Sequence, residues 1–329
     1  MLNHYTASFQ LRPASRSRAL LSGLAVALGA TFAPVGTHAQ QDVQYTQFMY
    51  DKLTVNPAYA GAKGFPTAGV IARQQWAGFD GAPASQALRL HSPLGTSKLA
   101  LGLRAQNDVI GPTRATGAGI AVAYHLPVSD RMFVSLGLDA SGMQYRLDWA
   151  DLRGADPEID VPTDGAESRI IGNVGAGGML YSDRFYLGVS APRVLRNALS
   201  DSGGGREATH VYAMAGYDFR LGSDFKLRPA VNFKYVANAP ADADVNATLV
   251  WRRLLGLGAS YRTGGAFTRS RGESISGNIA VMPNDRLTVG AAYDYTLTEI
   301  GDYSSGSYEL VLEYTLVTRT HRSHNPRYF

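Results

Sequence analysis

Residues 116–145 read T-G-A-G-I-A-V-A-Y-H-L-P-V-S-D-R-M-F-V-S-L-G-L-D-A-S-G-M-Q-Y. Large apolar side chains occupy every second position on both sides of a short turn: Ile120, Val122, Tyr124 and Leu126, then Val134, Leu136 and Leu138. The positions between them hold Gly, Ala, Ser, His125 and Asp139. Because side chains alternate across a strand, this pattern predicts a β-hairpin with one apolar face and one small or polar face.

A soluble sheet also alternates, but two features of this hairpin favour a membrane. Its apolar face carries aromatic residues near the strand ends, and its other face is rich in Gly, Ser and charge. That combination is typical of a transmembrane β-hairpin with lipid on one side and water on the other. The unit recurs to the end of the chain, so the sequence predicts an all-β, transmembrane antiparallel β-barrel of the outer-membrane type.

The predicted barrel has about fourteen strands, an even number as in bacterial single-chain barrels. The predicted strands are 67–75, 84–92, 99–106, 116–126, 133–142, 170–181, 185–191, 209–220, 227–235, 244–251, 254–262, 274–281, 287–295 and 307–316. Connections after even-numbered strands are short, and those after odd-numbered strands, including 107–114 and 148–169, are long. Outer-membrane barrels have short periplasmic turns and longer external loops, so both termini are expected in the periplasm.

Charged side chains fall on the same strand face as the small residues. On a lipid-facing surface each Arg or Lys near the midplane would cost about 2–4 kcal/mol, whereas a hydrated lumen accepts it. We therefore predict that the following residues face the lumen: Arg89, Arg104, Asp139, Asp218, Arg228, Arg262 and Asp294, together with Arg220, Lys234, Glu309 and Glu313.

The first 39 residues predict a secretory signal peptide. Arg12, Arg16 and Arg18 precede an apolar run over 19–32, and Thr37-His38-Ala39 offers a cleavage site. The alternative is a membrane anchor, for which this run is short. The expected organisation is a signal peptide (1–39), a periplasmic plug-like segment (40–66), the barrel (67–317) and a periplasmic tail (318–329).

Composition excludes several classes of site. The chain has no Cys, so it has no disulfides, thiolate metal sites or cysteine lipid anchor. Removal of the signal takes away three Arg and no acidic residue, which lowers the formal net charge from +4 to +1. No basic run remains that would indicate nucleic-acid binding.

Motifs for catalysis and cofactor binding are missing. The run G-N-V-G-A-G-G at 172–178 lacks the Lys-Ser/Thr of a phosphate-binding loop, so its small residues are expected to make room inside the barrel. His91, His125 and His210 are interpreted as separate polar lumen residues. The acidic stretch 148–169 could bind calcium but lacks the twelve-residue loop spacing. We expect no enzymatic activity, no cofactor and no metal.

Two stretches are more specific than the barrel pattern. The mature start reads Q-Y-T-Q-F-M-Y-D-K-L-T-V-N-P-A-Y-A-G (44–61), and the first external loop reads R-Q-Q-W-A-G-F-D-G-A-P (73–83). Both closely resemble the PorP/SprF family of outer-membrane proteins associated with type IX secretion and gliding. The tail N-P-R-Y-F (325–329) is also similar to the family's ending. The resemblance covers the chain from about residue 41 to its end.

This resemblance implies a non-enzymatic barrel that supports secretion or surface anchoring of particular exported proteins. Its expected partners are large adhesins with a type IX C-terminal signal domain, periplasmic secretion or motor components, and outer-membrane lipid. Candidate residues for partner contact or for plugging the lumen are Tyr45, Phe48, Tyr50, Asn56, Pro57, Tyr59, Trp76, Phe79, Asp80 and Pro83. The aromatic residues of 40–62 are expected to hold this segment in the periplasmic mouth.

Two other functions stay open. An outer-membrane pore for passive or selective solute passage would need an open lumen, and a barrel hydrolase would need a Ser/His/acid set at one site. In the loop 76–83, the residues Trp76, Phe79 and Pro83 fit either an exposed contact patch or a lid folded inward.

Overall fold

The computed structural model describes residues 43–151, 165–199, 206–237, 239–264 and 272–317. The segments His210–Tyr217 and Phe219–Leu221 pair with the same neighbour and form one strand interrupted at Asp218, so these ranges contain fourteen strands. In chain order they are β1 (Thr67–Gln74), β2 (Ala84–Pro93), β3 (Leu99–Ile110), β4 (Thr113–Ser129), β5 (Met132–Asp148), β6 (Ala166–Ser182), β7 (Phe185–Ala191), β8 (His210–Tyr217 with Phe219–Leu221), β9 (Phe225–Val236), β10 (Asp242–Trp251), β11 (Leu255–Arg262), β12 (Ser274–Asn284), β13 (Leu287–Thr296) and β14 (Ser307–Thr315).

The sheet closes on itself. Each strand pairs antiparallel with the strands before and after it in sequence, and β14 pairs with β1, where Thr67 lies opposite Thr315. Closure leaves no strand edge with unpaired backbone groups, which a hydrocarbon environment would penalise. The prediction of a closed, antiparallel fourteen-strand barrel is confirmed.

The register of β4 and β5 separates an apolar outer face from a polar inner face. Tyr124 lies opposite Leu136, and Ala121 lies opposite Asp139. The Leu136 side chain is 58% exposed on the outside, whereas Asp139 is only 5% exposed and faces the interior. A single strand therefore presents leucines to lipid and a carboxylate to the lumen, as its period-two pattern requires.

Aromatic residues on the outer face form two belts. We call the end of the barrel with the short connections, such as β4–β5 and β6–β7, the turn end, and the opposite end the loop end. The belt near the turn end contains Tyr124, Tyr217, Phe225, Trp251 and Tyr314, and the belt near the loop end contains Phe233, Tyr235, Tyr261, Tyr293, Tyr295 and Tyr308. Aromatic side chains of this kind lie at the two membrane–water interfaces.

One predicted connection is wrong. Residues 107–114 were expected to form a long loop, but β3 continues to Ile110, β4 starts at Thr113, and only a tight turn joins them. The sheet continues here because outward polar side chains hydrogen-bond across strands. Asn107 donates to Gln86 at 2.9 Å, and Thr116 donates to Asn107 at 2.9 Å. The alternation of apolar and polar side chains ends near residue 107, although the strands continue beyond it.

Outside the strands, the described residues contain short helical turns only. Three lie before β1, at Phe48–Tyr50, Lys52–Val55 and Pro57–Tyr59, and one lies at Glu299–Tyr303; residues 149–151, after β5, are also helical. No helix in the described ranges is long and apolar enough to cross a membrane. The predicted signal peptide, the predicted tail and most of the acidic stretch 148–169 lie outside the described residues.

The buried core lies inside the barrel and depends on the residues before β1. Leu53 and Tyr59 pack with Ala121, Met179 and Tyr186 from the strand walls, and a second cluster joins Tyr45 to Ile71. These side chains therefore shield part of the inner face from solvent, although the inner face is polar in composition.

Candidate functional site

The residues before β1 contact the inner wall over much of the height of the barrel. Near the loop end, Lys234 Nζ donates to Gln44 Oε1 at 2.7 Å. Midway along the wall, Arg89 Nη1 lies 3.4 Å from Asp51 Oδ1, and at the turn end Lys63 forms an ion pair with Glu313. Residues 43–66, which we call the N-terminal segment, therefore follow the lumen lengthwise.

This course corrects the expectation that the segment stays at the mouth where β1 begins. The inward charges and glycines that contact it are distributed from one end of the wall to the other. Sequence periodicity reveals that such residues face inward, but it does not show which of them the segment contacts.

A buried ion cluster fixes the start of the segment. Arg73 lies 2.7 Å from Asp294 and 3.2 Å from Glu309, and all three side chains are nearly inaccessible. The Glu309 carboxylate accepts the backbone N–H groups of Thr46 and Gln47 at 2.8 and 2.7 Å. The Thr46 hydroxyl donates to Asp294 at 2.6 Å. Burial of these charges is tolerated because each is paired and hydrogen-bonded.

Asn56 anchors the middle of the segment to two neighbouring strands. Its Oδ1 accepts the Ala58 N–H at 2.9 Å, which caps the turn Pro57–Tyr59. Its Nδ2 donates to the Gly178 carbonyl of β6 at 3.2 Å and to the Val189 carbonyl of β7 at 3.4 Å. Because Asn56 is fully buried, these bonds replace the water that its amide would lose.

Glycines of the wall leave the space that this part of the segment fills. A Cβ atom on Gly137 would lie 2.3 Å from the Ala58 backbone nitrogen, and one on Gly177 would lie 2.2 Å from Asn56 Oδ1. Such approaches are too close for any side chain. The small residues of the 172–178 run therefore do make room inside the barrel, at least at Gly177.

Two histidines hold the turn that follows. His91 Nδ1 accepts the Gly61 N–H at 3.2 Å, and His125 Nε2 donates to the Ala60 carbonyl at 2.7 Å. The Tyr181 hydroxyl lies 2.8 Å from His125 Nδ1 and hydrogen-bonds to it. The interpretation of His91 and His125 as separate lumen residues is corrected here, because both contact the same turn.

Lys52 is the most unusual charge of the segment. It is 4% exposed, donates to the Met49 carbonyl, and has the rings of Tyr186 and Tyr59 at 4.9 and 5.3 Å from Nζ. Burial, the largest effect, lowers the pKa of this ammonium group to about 7, and the positive charge of Lys63 acts in the same direction.

The described parts of the loop after β7, residues 192–199 and 206–209, also contact the inner wall, which the sequence did not indicate. Asn173 Oδ1 accepts the N–H groups of Val194 and Leu195, at 3.0 and 2.9 Å. Asn173 Nδ2 donates to the buried Glu207 carboxylate at 2.8 Å. The only hint in the sequence was Asn173 itself, a polar residue within a run of glycines.

The structure divides the candidate contact residues into two groups. Tyr45, Phe48, Asn56, Pro57 and Tyr59 are buried against the wall, and Tyr50 is half-buried. In the first loop, Trp76 and Pro83 are half-buried, whereas Asp80 is exposed and Phe79 is 43% exposed. The residues of the first loop thus lie near solvent and away from the N-terminal segment.

The predicted lumen residues all lie on the inner face, and most are paired. Arg104 lies 2.6 Å from Asp139, Arg228 lies 3.5 Å from Asp218, and Arg262 lies 2.6 Å from Asp244. Arg89 and Asp294 contact the segment or its ion cluster as described above. Arg73, Asp51 and Asp244 were missed as partners because period-two patterning says nothing about contacts across the lumen.

Within the described residues, no three His, Asp or Glu side chains are placed to hold a metal ion together. His210 lies apart from the other two histidines, with its Nδ1 3.1 Å from the carbonyl of nearby Ala208.

Comparison with solved structures finds other outer-membrane proteins. The outer membrane protein Omp33 of Acinetobacter baumannii is 13% identical, with a TM-score of 0.45 over 77% of this chain and 98% of its own. The CymD monoaromatic hydrocarbon channel is 14% identical, with a TM-score of 0.48 over 87% and 96%. A FadL homologue of Pseudomonas aeruginosa is 11% identical, with a TM-score of 0.44 over 79% and 91%. These low scores carry no functional argument.

No curated protein matches the chain. A family does: the model described as "Type IX secretion system membrane protein PorP/SprF" matches residues 37–314, which is most of the chain and includes the N-terminal segment and thirteen complete strands of the barrel. The chain therefore belongs to the PorP/SprF family and is an outer-membrane β-barrel protein of the type IX secretion system.

Proposed function

We propose that this barrel supports secretion or surface anchoring of specific exported proteins, such as large adhesins with a type IX C-terminal signal domain. It does so by binding rather than by catalysis. Its loop end faces the cell exterior and its turn end faces the periplasm, where secretion or motor components have access to it. The predicted signal peptide delivers the chain to this membrane.

The observation that supports this proposal is the set of contacts between the N-terminal segment and the inner wall. The segment is tied to the wall through Glu309, Asn56 and Lys63, and Tyr59 packs with Met179 and Tyr186 of the wall. The loop after β7 occupies a further part of the lumen through Asn173. A barrel whose inner wall contacts so much of its own chain has less room for solutes to pass. Its surfaces at the two ends therefore stay available for binding other proteins.

The competing function is a pore for solutes. It would require a continuous water-filled path, and the segment lies along that path. The pore becomes plausible only if the segment leaves the lumen. Conductance of the purified protein in planar bilayers separates the two functions, because an open pore gives large, stable currents without any change to the chain.

The test of the proposal is affinity purification from the native outer membrane, using the wild type and Gly137→Ala. The added methyl group would overlap the Ala58 backbone, and such overpacking costs about 1–3 kcal/mol. We expect the wild type to co-purify a large secreted protein with a type IX signal domain, and the variant to recover several-fold less of it.

Gly142→Ala is the matched control, because Gly142 lies on the same strand and a Cβ there would meet no atom within 4 Å. It should recover the partner as the wild type does. Heat-modifiable migration on gels verifies that both variants form barrels. The proposal fails if no secreted protein co-purifies with the wild type. Equal recovery with both variants would instead show that the position of the segment does not matter for binding.

A further inference from the structure

Lys52 is a buried cation whose own surroundings do not neutralise it. Its Nζ donates to the Met49 carbonyl and lies beside two tyrosine rings. Among the residues that the structure describes, no carboxylate oxygen lies within 4.0 Å of this nitrogen. Carbonyl and aromatic contacts compensate only part of the cost of removing an ammonium group from water, so an anion here would be stabilising.

A cavity of about 120 Å³ adjoins this lysine. It lies between the N-terminal segment and the wall formed by β7 to β10 and β12 to β14, and it extends towards the turn end. Lys52 and Tyr186 line its inner part, whereas Arg253 and Asp285 line it at the tips of the turns, where they are about half exposed. A group that enters from the turn end can therefore reach Lys52.

The other cations of this cavity have acidic partners. Lys63 pairs with Glu313, Arg253 lies 2.6 Å from Asp285, and Arg228 lies 3.5 Å from Asp218. Lys52 is the lining cation without a carboxylate neighbour in the described ranges. The anion that the cavity favours would thus bind at Lys52.

We propose that this cavity receives the carboxylate of an acidic residue carried by a protein partner at the turn end, with Lys52 Nζ as its counter-ion. The lining favours a carboxylate on a carbon stem over a phosphate. Met49, Pro229 and Met282 supply apolar surface for the stem. A phosphate would need several strong donors to replace its hydration, and the arginines of the cavity already pair with acids. The inference deepens the proposed function, because it names the chemistry by which a partner is recognised.

The test uses the purified full-length barrel in detergent and measures methylation of each lysine by formaldehyde and borane with mass spectrometry. Because its pKa is about 7, about half of Lys52 is deprotonated and reactive at neutral pH, a far larger fraction than for an ordinary lysine, while the other half carries the charge that binds an anion. The probes are acetyl-Gly-Glu-Gly-amide, the matched Gln peptide and inorganic phosphate. We expect the Glu peptide to slow Lys52 methylation, with half-protection at about 1 mM or below.

Lys98, exposed at the turn between β2 and β3, is the internal control and should react equally with and without peptide. Saturation-transfer NMR of the Glu peptide gives a second readout, which Lys52→Met should abolish. Equal protection by the Glu and Gln peptides would overturn the inference, as would stronger protection by phosphate. If Lys52→Met does not fold, the protection measured on the wild type still decides. No secreted partner is needed, so a failure here is distinct from a failure of the co-purification experiment.

Discussion

Leu138 and Gln144 lie on the outer face of the same strand, but the structure places them at different depths. Leu138 is in the apolar band between the two aromatic belts, opposite Val122 of β4. Gln144 lies opposite Thr116 at the level where outward side chains become polar, and it donates to Ser168 at 2.9 Å. Each outer position therefore has its own tolerance for charge, set by its distance from the membrane midplane.

We expect Leu138→Arg to prevent stable insertion and Gln144→Arg to insert almost normally. An arginine costs about 2–4 kcal/mol at the midplane but only about 0–1 kcal/mol near an interface. The heat-modifiable fraction in isolated outer membranes measures insertion. Equal loss with the two substitutions would mean that the depth assignment of β5 is wrong.

Asp139 shows why an inward residue is not automatically tolerant. It lies 2.6 Å from Arg104, and both are largely buried. Replacement by Arg would place two like charges together away from water, which is strongly unfavourable. The sequence pattern predicts whether a side chain faces lipid or the lumen. The effect of a mutation also depends on which other side chain the original residue contacts.

The N-terminal segment, taken as an element, has little stability of its own. Its helical turns are three or four residues long, far shorter than the roughly 12–15 residues at which an isolated helix becomes marginally stable. Its order therefore comes from contacts with the wall, and the Glu309 carboxylate contributes two backbone hydrogen bonds.

Substitution of Glu309 by Gln should release the start of the segment. Hydrogen bonds to a charged group contribute about 1.5–3 kcal/mol each, so we expect hydrogen exchange at Thr46 and Gln47 to accelerate about tenfold or more. Exchange of the β-strand amides should not change. Glu299→Gln, on an exposed turn, is the control for loss of one negative charge. Unaltered exchange at Thr46 and Gln47 would show that Glu309 does not hold the segment.

At the scale of the whole molecule, the barrel and its lumen contents can be separated. Backbone pairing closes the wall without any contribution from residues 43–66. The segment adds the dry interior clusters around Leu53 and Tyr45. Its removal should therefore leave an inserted barrel with a wider, wetter lumen.

We expect deletion of residues 44–58 to preserve heat-modifiable migration and to raise single-channel conductance above that of the wild type. Retention of the secreted partner should be lost in the same strain. The loop after β7 still enters the lumen, so the deleted protein should not reach the conductance of an empty barrel of this size. Unchanged conductance together with normal partner retention would mean that the segment only leads into β1.

Period-two alternation was sufficient to predict the strands, their faces and the closed barrel, because lipid and water impose opposite requirements on neighbouring side chains. It failed at residues 107–114, where the strands continue above the apolar band and the alternation no longer shows.

Only the tertiary structure revealed the course of the N-terminal segment. Its anchors are Arg73, Glu309, Gly137 and the histidines at 91 and 125, which are distant in sequence and come together across the lumen. The period-two pattern of one strand reports only which side chains face lipid and which face the lumen. Contacts across a lumen depend on which strands face each other after closure, so they could not be inferred from local pattern.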